Sequence, residues 1–185
     1  MRVLIAGILG AVAMFVWSSF AHLATPLATT GFSQIPNEAP VLAVLQQSIG
    51  DKNGLYIFPW VDPKDPKMME KSAALYKTNP NGILVYHPAG STAGMEGWQL
   101  GAEFGKQFIQ SLLAAWLLSM AAIAGYAMRV TFVSAVGLAA AITTNASYWI
   151  WYGFPLNYTL AYGFVDFFGY VVAGLAIAWW IGRKA

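Results

Sequence analysis

Charged residues are missing from four long stretches of this chain: 3–21, 107–128, 130–165 and 167–182. A run of about 20 apolar residues at about 1.5 Å per residue crosses the hydrocarbon core of a bilayer. The pattern therefore predicts an all-α integral membrane bundle with spans over Val3–Leu23, Phe108–Met128, Val130–Ile150 and Leu160–Ile181. The second and third spans are separated only by Arg129 and its neighbours, which predicts a tight antiparallel hairpin. Phe154-Pro155-Leu156-Asn157 breaks the helix between the third and fourth. Arg2 and the apolar run behind it could form a secretory signal, with Ser19-Phe20-Ala21 as a small-residue cleavage site. The run continues past that site and is long enough to span, so the expectation is a retained signal anchor.

Between the first and second spans the pattern changes. From Thr25 to Gly105 prolines and charges appear and the apolar runs shorten. Asn37 is a candidate cap for a helix through Ala39–Ile49, with Pro40 tolerated in its first turn. Asp65 is a candidate cap for a second helix, Pro66–Tyr76. Gly54–Pro59 and Gly82–Pro88 read as short strands; each opens with Asn-Gly, contains a tyrosine and stops at proline. Each follows a helix, so a helix–strand unit used twice is one reading and chance similarity the other. A helical crossover between the strands would permit a parallel pair. The predicted organisation is a membrane helix at 1–24, an α/β extracytoplasmic insertion at 25–105, and three membrane helices at 106–185. A two-stranded sheet is marginal alone, so the insertion should lean on the membrane helices or on another subunit.

The placement of positive charge predicts the orientation. Arg2, Arg129, Arg183 and Lys184 fall on one face of the four-span scheme without an acid beside them. Six lysines fall on the other face among acids, on a loop long enough to cross regardless of charge. Both termini are expected in the cytoplasm and residues 25–105 in the periplasm, with a bacterial inner membrane the favoured setting. Trp149, Trp151, Tyr152 and Tyr158 would mark the outer boundary, and Trp179 and Trp180 the inner one. The chain is 58% hydrophobic and contains no cysteine, which excludes disulfides and thiolate chemistry. A net charge of +2 is too small to suggest a nucleic-acid partner.

Candidate chemistry is sparse. Asn145 lies 16 residues after Arg129 and Asp166 lies 17 before Arg183. At helical rise both sit about 25 Å from the arginine face. Gln110 is slightly higher, His22 higher again, and Glu103 and Gln107 lie just outside. Tyr158, Tyr162, Asp166 and Tyr170 recur every fourth residue, along one helix face. An acid inside a membrane opposes insertion by roughly 2.5–3.5 kcal/mol and is kept where it has a partner or a cavity. Asp166 is accordingly a proton- or substrate-handling carboxylate, or interhelical glue bonded to Asn145, a tyrosine or a neighbouring subunit. Gly97, Gly101 and Gly105 would share one face if the second membrane helix begins near Met95, letting another helix approach closely. Small residues at four-residue spacing, Gly7/Ala11 and Gly137/Ala141/Asn145 among them, predict tight helix contact. His22 and His87 lack companions at ligand spacing, so no metal site is expected, and no catalytic signature is present.

Three functions fit this pattern. The favoured one is a small accessory or structural subunit of a membrane complex. It would bind other membrane subunits or further copies of itself through small-residue helix faces and the outer module. No cofactor is expected, although the aromatic outer surface would suit lipids, quinones or pigments. The second is an oligomeric transporter or channel with a path past Asp166, Asn145 and Gln110. The third is an outer-leaflet enzyme with Glu103 and Asp166 as acid–base groups and His22 as helper.

Overall fold

A computed structural model describes residues 1–91 and 96–183. The fold is mostly helical with one small two-stranded sheet. In chain order the elements are α1 (Arg2–Ala24), α2 (Glu38–Ile49), β1 (Gly54–Phe58), α3 (Met68–Thr78), β2 (Gly82–Tyr86), α4 (Gly97–Met120), α5 (Tyr126–Tyr152) and α6 (Leu156–Gly182). The chain divides into two compact units: Met1–Phe32 together with α4–α6, and a smaller one within Ser33–Gly94.

In the helical unit, α1, α5 and α6 are long and apolar enough to cross a membrane. The remaining long helix, α4, differs from the expected second span. A reciprocal cap starts it, with the Gln99 side chain accepting from the Glu96 backbone N–H at 2.7 Å. It ends at Met120, not Met128. Ala122 (φ 49°) and Gly125 (φ 84°) take left-handed backbone there and turn the chain. Arg129 is therefore not the hairpin tip but lies in the first turn of α5. An uncharged run hides such a turn because hydropathy does not register φ. Met95, the expected start of the helix, is outside the described residues.

The packing order is α4–α1–α6–α5. The expected tight hairpin of the second and third spans is not what forms: α4 lies along α1, α5 lies along α6, and α4 and α5 share little contact. The reason lies in the small residues. A Cβ on Gly7 would lie 3.0 Å from the Leu112 Cα, and one on Gly10 would strike Ser111 Oγ. Those glycines bring α4 onto α1. On α6, a Cβ on Gly174 would lie 3.2 Å from the Val133 Cβ, and Gly137 of α5 leaves room for Tyr170. Helix α1 runs antiparallel to α6. Trp17 Nε1 donates to the Val165 carbonyl at 2.9 Å, and Arg2 Nη2 donates to the Ile181 carbonyl at 3.2 Å. Met14, Leu118, Val133, Ala173 and Ile177 are among the residues buried at the centre.

In the smaller unit, β1 and β2 pair antiparallel, in register from Gly54 opposite Tyr86 to Phe58 opposite Gly82. The parallel pair that a helical crossover would permit does not form. A crossover helix must pack on the sheet to return the chain to its starting edge, and α3 buries no residue. The tyrosines hold the hairpin. Tyr86 is buried, donates to the Gly50 carbonyl at 3.0 Å, and meets the Tyr56 ring edge-on at 6.3 Å. Neither candidate cap acts as expected. Asn37 adopts left-handed backbone and its side chain makes no cap bond to α2. Asp65 precedes α3 by a turn, where its carboxylate accepts from the Lys67 N–H at 2.8 Å and pairs with Lys71. Lys71 first, and the Lys67 amide second, hold the Asp65 carboxyl below its ordinary value.

Candidate functional site

The expected polar layer separates into two constellations. The first is the pair Asn145–Asp166. Asn145 Nδ2 donates to Asp166 Oδ2 at 2.8 Å and to the Ala141 carbonyl at 3.0 Å. The pair is a rung of the α5–α6 seam. Val133 meets Gly174 and Gly137 meets Tyr170, a step of four on each helix, and two turns further up α5 the Asn145 side chain reaches Asp166, one turn further down α6. Helical periodicity keeps such positions on facing stripes. Among the described residues no lysine or arginine pairs with Asp166.

The second constellation joins the residues expected just outside the layer. Lys106 pairs with Glu103 at 2.9 Å. Gln107 Nε2 donates to Glu103 Oε1 at 2.8 Å and to Ser18 Oγ at 2.9 Å. The Ser18 carbonyl lies 2.8 Å from His22 Nδ1. A carbonyl only accepts, so Nδ1 carries the proton and Nε2 is the free acceptor in the neutral ring. Ser18 thus links Glu103 and Gln107 of α4 to His22 of α1. Serine in an apolar run gives no periodic signal, and only the α1–α4 contact reveals this role. Buried in the same contact, Gln107 Oε1 and Ser111 Oγ have no hydrogen-bond partner among the described residues.

Tyr162 joins neither Asp166 nor Asn145. Its ring stacks on Tyr158 at 4.3 Å, its edge faces His22 at 6.1 Å, and its hydroxyl donates to the Ala28 carbonyl at 3.4 Å. Gln110 is half-buried on α4, which α1 separates from the α5–α6 seam, and its side chain makes no hydrogen bond among the described residues. Gly97, Gly101 and Gly105 do lie on one helix, but no side chain or other backbone comes within 4 Å of where their Cβ atoms would be. The close helix contacts use Gly7, Gly10, Gly137 and Gly174 instead.

An apolar groove of about 380 Å³ between α5 and α6 borders Asn145; Leu138, Trp149, Leu160, Phe164 and Phe167 are among its walls. An open cleft of about 350 Å³ lies at the other end of these helices, between Tyr126, Arg129, Ala178, Trp179, Gly182 and Arg183. Neither is lined by Glu103, Asp166 or His22, the expected acid–base residues. Among the described residues, no three histidine, aspartate or glutamate side chains gather closely enough to hold a metal ion. Comparison with family models, curated proteins and solved structures gives no match.

Proposed function

We propose that this chain is a small accessory subunit of a membrane protein complex, with α4 as a fourth span beside α1, α5 and α6. The observation carrying this reading is the lack of a self-sufficient core in the smaller unit. Neither α2 nor α3 buries a residue, and Leu42, Val44, Leu55, Trp60, Met69 and Val85 are each more than half exposed. A unit of about 60 residues is marginal even with a good core, and this one leaves its large apolar side chains in the open. A partner surface that covers these side chains supplies the missing burial. The open glycine face of α4 offers a second contact, inside or near the bilayer.

In this reading the arginine end of the bundle faces the cytoplasm, by the positive-inside rule, and residues 33–94 lie on the opposite side of a bacterial inner membrane. Gentle detergent extraction should recover the chain with another polypeptide, or with further copies of itself, in fixed ratio. Recovery of monomer alone would reject the proposal. Gly101→Leu should weaken the association if it runs through the glycine face.

Asp166 favours a second reading, a proton-coupled transporter, because it is a membrane-depth carboxylate without a cation beside it. Asp166→Asn can still accept from Asn145, so it retains the seam while losing the titrating proton. Loss of proton-coupled flux in liposomes with unchanged stability would support transport; unchanged flux would eliminate it.

A further inference from the structure

The three arginines of the described chain gather at one end of the helical unit. Arg2 donates to the Ile181 carbonyl at 3.2 Å, and Arg129 Nε donates to the Ile123 carbonyl at 2.9 Å. The Arg183 guanidinium stands 4.1 Å above the Trp179 ring and 5.6 Å from that of Trp180. These partners are neutral. Among the described residues no carboxylate pairs with an arginine, and no acid occurs in α1 or in α4–α6 beyond Asp166 and Glu103.

Two further features turn this charge into a site. The cleft of about 350 Å³ opens between Arg129 and Arg183. The Arg129 guanidinium lies against Gly182, where a Cβ would come 2.7 Å from Nη1. The second feature is the start of α5, which has no side-chain cap and no acid in its first turn. Its first N–H groups and its positive dipole end lie beside the same arginine. The walls are two-sided in character. Ala178 and the rings of Tyr126 and Trp179 are apolar and continue into the membrane-length helices, and the guanidinium groups form the polar side.

We infer that the cleft between Arg129, Arg183 and the start of α5 binds the phosphate headgroup of an anionic membrane phospholipid. A guanidinium fork matches phosphate oxygens geometrically and electrostatically. Tryptophan and tyrosine rings occupy the headgroup level of a bilayer, where such phosphates lie. The apolar wall favours an amphiphile over a free anion, because it offers the glycerol and first acyl carbons a surface. Basic pockets between membrane helices take anionic headgroups on this physical ground.

The test uses the full chain in nanodiscs carrying photoactivatable phosphatidylglycerol or photoactivatable phosphatidylcholine with identical acyl chains. Mass spectrometry then locates the labelled peptides. Phosphatidylglycerol should label the peptides around Tyr126–Arg129 and Ala178–Arg183 in clear excess over phosphatidylcholine, and inorganic phosphate should not displace it. Arg129→Gln and Arg183→Gln should each lower that labelling about fivefold. Gly182→Val keeps every arginine but displaces the Arg129 guanidinium from its place against Gly182, and should lower it too, which covers the case in which an arginine variant does not fold. Equal labelling by the two lipids, or labelling unchanged in Arg183→Gln and Gly182→Val, would overturn the inference. Displacement by inorganic phosphate would overturn the lipid as the source of the phosphate.

Discussion

Asp166 shows how one residue can be legible in type and still undecided in role. A carboxylate among apolar residues needs a partner, and Asn145 supplies one at 2.8 Å. A double-mutant cycle on Asn145→Ala and Asp166→Ala, followed by unfolding in mixed micelles, should give a coupling of about 0.6–1.7 kcal/mol. No coupling would mean that the bond does not hold the helices. At Asp65 the direction of the pKa shift fixes a pH effect. Its folded value is lowered by Lys71 and the Lys67 amide. The stabilisation is therefore present above the unfolded carboxyl value of about 3.9 and is lost as pH falls through the folded value. An NMR titration should place the Asp65 midpoint below that of an unfolded aspartate. In Lys71→Met the midpoint should return towards it.

At the scale of elements, glycines sort the helix pairs. Gly137 admits the Cβ of Tyr170, which cannot swing away as a side-chain tip could. Gly137→Ala should destabilise the α5–α6 pair by roughly 1–3 kcal/mol through overpacking. Gly163→Ala, whose new Cβ would meet its nearest neighbour at 4.0 Å, should instead stabilise by up to about 1 kcal/mol through helix propensity. Gly101 distinguishes an idle face from a used one. On an uncovered helix Gly101→Ala should stabilise by about 1 kcal/mol through helix propensity. If a partner helix docks there, the same change should instead reduce recovery of the complex. Measuring stability and co-purification on one preparation separates the two.

At the scale of the whole molecule, the charge of the helical unit is one-sided. Arg2, Arg129 and Arg183 share one end of the helical unit, with Trp179 and Trp180 beside them. Residues 33–94 form a separate unit whose chain leaves α1 and returns at α4. The chain has no cysteine of its own, so single cysteines report sidedness without background. In intact cells Lys77→Cys should react with a membrane-impermeant maleimide, and Ala122→Cys, in the α4–α5 turn, should react only after permeabilisation. Reaction of both in intact cells would reject the proposed orientation.

Three helices long and apolar enough to cross a membrane were legible in the sequence, because solvent preference is a sum over residues and needs no contacts. The apolar runs, the break at Pro155 and the two short strands between helices all followed from composition and period. Pairing was a different matter. That Asn145, one of several partners open to Asp166, is the one it meets, and that Ser18 links Glu103 and Gln107 to His22, depended on which helix lies against which. Those choices were made by clefts at Gly7, Gly10, Gly137 and Gly174. A cleft has meaning only with the side chain that enters it, and that side chain arrives from a distant part of the chain. The turn at Ala121–Gly125 was hidden for a related reason, since two left-handed backbone angles change a path without changing hydropathy.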